Sequence, residues 1–496
     1  MTDSSTFPDP TYRDTVLAPL FEGVKTHFAG HMAAINRAHL VMLTETGILG
    51  ATESGRIAGA LRDIAAETDL ETLSYTGEHE DYFFYVEAEL KRRLGPDLGG
   101  MLHTARSRND MDHTVFKLAL QTRVTAMLEG MTGLAEALIA KAREDRDTAI
   151  VAYTHGQPAQ PSTFGHYLAA AIEVLLSDIA RLAREAGALD LCPMGAAAIT
   201  TSGFPIDRAR VAELLGFAAP KQNSYGCIAS VDYITGLYSA LKLPFLHLGR
   251  VIQDMAFWSA FEVGQLHVPD SLVQISSIMP QKRNPVPIEH MRHLASVTVG
   301  RCETMLNTMH NTPFTDMNDS EGEVQAAGYD AFASGGRVIA LLTAFLPACR
   351  IDEDRVRANA DAACVTVTEL ADTLVRVEGL SFRQAHEVAA KTARAVIAEG
   401  CALGAGYGDF AAAFRAETGR DPGLSEEEFA QATSLDGFIA RRDRFGGPAP
   451  APMNAALEGY AARLDGLRAD LAAIQTRRRD AETALTTAFT QLTEPA

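Results

Sequence analysis

Several things are scarce in this chain of 496 residues. Cysteine is thinly used: Cys192, Cys227, Cys302, Cys349, Cys364 and Cys401 are scattered, with no CxxC and no close Cys/His pair. That pattern argues against a disulfide framework or a structural zinc and fits a reducing cytoplasm. Basic residues are outnumbered, 44 against 63 acidic, for a formal net charge of −19. No basic tract gathers anywhere, which argues against nucleic acid or an anionic membrane as partner. No stretch reaches the roughly 20 uninterrupted apolar residues of a membrane span. The N-terminus, MTDSSTFPDPTYRD, lacks a charged-then-apolar signal pattern, so the expected location is the cytoplasm. Strand signals are few and short, and no internal repeat stands out.

What is present is helix. A hydrophobic content of 47% with 22% charged residues is globular. Helical spacing appears over Ala33–Leu49, Ser54–Ala66 and Asp81–Leu94. Five longer apolar-periodic runs follow: Thr114 to about Asp147, Phe164–Ala186, about Val231–Phe261, Ile288–His310 and Val324–Leu346. Several approach or exceed 20 residues, against about 11–12 for an ordinary globular helix. Their apolar surfaces need partners, so the pattern predicts a mainly α protein built on a central bundle of long helices. Smaller helical domains are expected on either side, giving residues 1–110, 111–349 and 350–496. Within the last, Gly404–Gly408 and Arg442–Pro452 read as flexible links, and Ala455–Thr486 as a final helix.

Three stretches hold residues suited to chemistry. Ser276–Glu289, SSIMPQKRNPVPIE, has Pro280, Pro285 and Pro287 interrupting the backbone just before a helix. Hydroxyls, an ammonium and backbone N–H groups near a helix N-terminus favour a bound anion. The same residues also fit a plain helix N-cap followed by a surface loop. Ser107-Arg108-Asn109 offers a guanidinium fork between neutral donors, or simply a cap beside a surface arginine. Thr154-His155, ahead of Gln160 and a long helix, places a proton-exchanging side chain near neutral pH; a satisfied core histidine is the common alternative.

SSxMPxKxNP…E resembles the signature loop of the aspartase/fumarase superfamily, whose members eliminate fumarate from a succinyl-containing substrate. TARSRND is similar to the TGRSRND of argininosuccinate lyases, with Ala105 in place of a glycine. The resemblance covers most of residues 75–390, including Met194-Gly195, Phe204–Arg208, Gln222-Asn223-Ser224 and Phe382–Glu387. It implies a catalytic set of Ser276 as base, His155 for acid/base or charge-relay work, Glu289 to orient that histidine, and Lys282. Ser277 is the alternate base. The resemblance implies that Lys282 and Asn284 hold the carboxylate that becomes the intermediate. Ser107, Arg108, Asn109, Thr154, Ser277, Met279 and Gln160 complete the implied substrate-binding set. It further implies a homotetramer whose sites are shared by three subunits, a small dicarboxylate substrate, and no metal or organic cofactor.

Departures matter as much. Ile275 stands where the superfamily usually has glycine, and Phe83 where the family usually has histidine. The family's YNKDMQEDK-like stretch, which helps hold the arginine part, reads Thr315–Glu323 here. Two lysines become Met317 and Glu323, and a glutamine becomes Ser320. Fewer cations and a new carboxylate change what the leaving-group pocket recognises. The leading expectation is therefore a C–N lyase that splits an N-substituted L-aspartate into fumarate and an amine other than arginine. Lyases acting on ethylenediamine-N,N′-disuccinate are a candidate likeness. The alternatives are a divergent argininosuccinate lyase and a catalytically inactive crystallin-like protein.

Overall fold

A computed structural model describes residues 7–493. The longest N-terminal helices, α1 (Ala29–Glu45), α2 (Ala51–Glu67) and α3 (Tyr82–Leu94), lead into α4 (Arg108–Glu144). Asp81 starts α3 by accepting the N–H of Phe84 at 2.9 Å, and Ser107 starts α4 in a capping box with Asp110. A hairpin of β1 (Ala149–Thr154) and β2 (Gln157–Thr163) returns the chain into α5 (Phe164–Ala186). Next come α6 (Asp232–Trp258), a short ribbon of β3 (Gln274–Ile275) with β4 (Arg283–Asn284), α7 (Val286–Thr308) and α8 (Gly322–Ala348). The mainly α expectation holds, and each long periodic run is a helix.

These five helices share one core. Its fully buried residues include Leu120, Leu134, Ile172, Leu237, Met291 and Leu342, drawn from all five. His113 near the start of α4 lies 3.2 Å from the hydroxyl of Tyr233 at the start of α6. At the far end of α6, Phe257 packs against Tyr153 of the hairpin, ring centroids 5.1 Å apart. The helices therefore run the full length of the bundle, and the connections cluster at its two ends. The segment Asn318–Ala348 is long and apolar enough by length and composition to cross a membrane, yet half of its most apolar window is buried inside the bundle.

The C-terminal segment divides by packing. Helices α9 (Val367–Glu378) and α10 (Phe382–Glu399) form a separate cluster with Phe410, Phe414 and Phe429. Buried Glu369 fastens this cluster by ion pairs to Arg376, Arg441 and Arg442. The last helix, α11 (Pro450–Thr493), was grouped by sequence with residues 350–496, but its Met453, Leu457, Leu464, Leu485 and Phe489 belong to the main core. N-terminal residues such as Phe21, Ile35 and Ile57 share that core too, so packing draws no boundary at residue 110. Helix α11 begins at Pro450 because a proline at the first turn forfeits no hydrogen bond. The link expected over Arg442–Pro452 loses only its last three residues to this helix.

Close helix approach fixes the bundle where α8 crosses α6. A Cβ added to Gly335 would sit 2.4 Å from Cζ of buried Phe245. Gly335→Ala is expected to lower stability by about 1–3 kcal/mol through overpacking, read as a fall in the urea midpoint with an unchanged slope.

Candidate active site

The signature loop is the tip of the β3–β4 ribbon. Gln274 pairs with Asn284 and Ile275 with Arg283, so seven residues, Ser276–Lys282, close the turn. Asn284 tightens the ribbon by donating from Nδ2 to the Gln274 carbonyl at 3.1 Å. Arg283 fastens its base to Asp270 and, at 2.6 Å, to the Val268 carbonyl. Ser276 Oγ accepts two backbone N–H groups, from Met279 at 3.1 Å and Ile278 at 3.4 Å. Ser277, Met279 and Lys282 are exposed, and Lys282 forms no ion pair among the described residues. Glu289 lies exposed in the first turn of α7.

His155 occupies the tip of the β1–β2 hairpin. Thr154 pairs with Gln157, leaving a two-residue turn in which His155 (φ +55°) and Gly156 (φ +74°) both adopt left-handed backbone. Such a turn matches the twist of its strands and projects the imidazole outward. Thr154 and His155 are exposed, and Gln160 donates to the Thr368 hydroxyl at 3.3 Å. His155 and Gln160 line a cavity of about 700 Å³ with Phe257, Trp258, Phe438 and Arg442. None of Ser107, Arg108, Ser276 or Lys282 borders it.

Ser107-Arg108-Asn109 opens α4 at the other end of the bundle. At 37 residues, α4 alone separates this segment from the hairpin by about 54 Å. The three stretches expected to form the site therefore do not meet within one chain. Asn109 donates to the Ala198 carbonyl at 3.4 Å, and Ser107 Oγ donates to Asn109 Oδ1 at 3.0 Å. Arg108 is already engaged, with Nη1 at 3.0 Å from Glu80 and 2.8 Å from Asp81, its guanidinium 4.9 Å above the Phe84 ring.

Two features of this segment escaped the sequence. Buried Asp110 accepts N–H groups from Ser107 (3.0 Å), Gly195 (2.8 Å) and Ala197 (2.9 Å), clamping the start of α4 to the 194–198 loop. Burial, opposed by those donors, pushes its carboxyl up to about 6. An acidic cluster also surrounds the segment. Burial and the neighbouring Glu321, Asp81 and Asp316 push half-buried Asp112 well above the usual carboxylate range, and burial and Asp316 raise Glu321. Buried His113 points Nε2 toward Asp316 Oδ1 at 3.6 Å without a hydrogen bond. Asp110 and Asp112 stand beside the motif in the sequence, but nothing in their spacing separates a clamp from a surface acid.

Residues 24–300 match a family model described as lyase, and residues 364–440 one described as argininosuccinate lyase C-terminal. Argininosuccinate lyase 2 of Agrobacterium fabrum is 60% identical over 469 residues, covering 94% of this chain and 93% of its own. Argininosuccinate lyase of Nitrosococcus oceani is 34% identical over 87% and 90% of the two chains. Among solved structures, EDDS lyase in complex with formate superposes with a TM-score of 0.85 at 30% identity, covering 96% of each chain. A class II fumarase from Schistosoma mansoni shares the fold at 16% identity and a TM-score of 0.63. Long helices, the signature loop and the matched segments place the chain in the aspartase/fumarase superfamily. Within it, the chain belongs to the argininosuccinate lyase family, a family of fumarate-forming carbon–nitrogen lyases.

Proposed function

We propose that this chain reversibly eliminates fumarate from argininosuccinate and releases arginine. The observation that carries the reading is the 60% identity, over 94% of the chain, to the argininosuccinate lyase 2 of Agrobacterium fabrum. The expectation of an amine other than arginine becomes the second reading. It rests on Met317, Ser320 and Glu323 replacing two lysines and a glutamine, and on the superposition with EDDS lyase. An acidic surround of Asp112, Asp316 and Glu321 suits either a guanidinium or a diamine as leaving group, since both are cations.

In this reading Ser276 takes the proton from the carbon beside a substrate carboxylate. Serine is a weak base unless its oxyanion is stabilised. The N–H groups of Ile278 and Met279, aimed at Oγ, and the ammonium of Lys282 supply that stabilisation. Lys282 and Asn284 hold the carboxylate that gains charge. Ser107, Asn109 and Thr154 bind the rest of the dicarboxylate, with Ser277, Met279 and Gln160 beside them. His155 protonates the departing nitrogen or relays charge with Glu289. Arg108, already shared by Glu80 and Asp81, orients those acids and presents the remaining face of its fork.

The assembly that fits is a homotetramer with each site shared by three subunits. The separation of about 54 Å along α4 supports it, because only a neighbouring chain can bring a hairpin end to a Ser107 end. Six free thiols, five of them buried, suit a reducing cytoplasm.

Three measurements test this. Fumarate absorbance should rise quickly with argininosuccinate and slowly with ethylenediamine-N,N′-disuccinate; the reverse order establishes the second reading, and silence with both removes the elimination. Ser276→Ala should lower turnover about a hundredfold or more with the melting temperature unchanged. Finally, Ser276→Ala and Ser107→Ala chains, each inactive alone, should recover activity after being unfolded and refolded together. Random mixing leaves about a quarter of the sites intact if the two residues come from different subunits.

A further inference from the structure

A second cavity, of about 470 Å³, lies between α1, α2, α3 and the end of α11, and no residue of the three stretches of the candidate active site borders it. Its walls are largely apolar, with Leu61, Ile64 and Phe489 prominent. Its polar lining is unusual for a protein of net charge −19: among the described residues Asn36, Arg37, Arg62, Tyr82 and the hydroxyls of Thr486, Thr490 and Thr493 border it, and no carboxylate does.

The orientation of Asn36 follows from its partner. This side chain is 5% exposed, and its Oδ1 accepts from Arg106 Nη1 at 2.7 Å. A guanidinium can only donate, so the carboxamide oxygen must face Arg106. The Asn36 NH₂ therefore turns away from Arg106, and among the described residues it has no hydrogen-bond partner. Arg106 itself is a buried cation with Nε unpartnered, stacked 5.8 Å from the Phe83 ring. Burial lowers its pKa to about 10, which leaves it charged at neutral pH, with Asp110 and Glu87 the acids that oppose the shift. Arg37 lies 6.0 Å from the Phe489 ring and, among the described residues, bonds only the Ala33 carbonyl of its own helix, at 3.4 Å. Arg62 is shared with Asp63 at 3.3 Å.

We infer that this cavity is a binding site for a small monocarboxylate with an apolar body, its carboxylate meeting Asn36 and Arg37 and its body lying against Leu61, Ile64 and Phe489. The volume is that of ordinary small-molecule sites, and unpartnered donors over an apolar floor match an amphipathic anion. A buried cation behind Asn36 favours negative charge at that end and opposes a cationic guest. This inference stands on the cavity alone and is independent of the elimination chemistry.

The test is calorimetric titration of the full-length protein with 3-phenylpropionate, its amide and phenethylamine, each without and with saturating fumarate. The carboxylate should bind saturably, with the amide at least about tenfold weaker and the amine weaker still. Arg37→Gln should weaken the carboxylate about tenfold and leave the amide unchanged. Ala65→Trp, at an exposed lining position, should block both while leaving the circular dichroism spectrum intact. Equal affinity for acid and amide, indifference to Arg37→Gln, no saturable binding, or loss of binding on adding fumarate would each overturn the assignment.

Discussion

The unbroken length of α4 is the constraint on which everything else in this molecule depends. A helix of 37 residues cannot fold back on itself, so it carries the chain about 54 Å from Ser107 before the hairpin begins. The chain answers with a bundle whose long members all span the same distance, and with functional groups confined to its two ends. Helix packing at Gly335 and Gly328, where α8 crosses α6, keeps the ends at fixed separation and fixed rotation.

At each end the backbone, more than the side chains, does the positioning. Asp110 ties Ser107 to two N–H groups of a distant loop. The left-handed pair His155-Gly156 sets the hairpin tip, and a ribbon of two residue pairs carries Ser276. Side chains mounted on such frames need little reorganisation when a charged substrate arrives, which is where preorganised donors have their largest effect.

The long helices were legible because apolar residues at three- and four-residue steps leave few other folds open. The hairpin was not. Pro158 and Pro161 argue against a strand, but a two-stranded ribbon has an open edge on which missing N–H groups cost nothing. The allegiance of α11 was equally hidden, since its alternating charges describe the solvent face and say nothing about which core receives Leu457 and Leu464. For the site, the motif residues could be named but not placed, because it is the unbroken length of α4 that sets Ser107 and His155 at opposite ends of the bundle. The acidic surround of Asp112, Asp316 and Glu321 lay beyond reach for a related reason: residues 112 and 321 become neighbours only once α4 and α8 lie side by side.

Ala105 shows how a small departure from a motif acts on the molecule. It holds φ +61°, a shape glycine adopts freely and alanine resists by about 1–2 kcal/mol. The surrounding turn keeps it there, with Arg106 anchored to Asn36 just beyond. The segment that delivers Ser107 is thus pre-stressed, like a spring clip. Any change that frees Arg106 lets that tension discharge into the first turn of α4, so wear in the N-terminal helices would be felt first at Ser107.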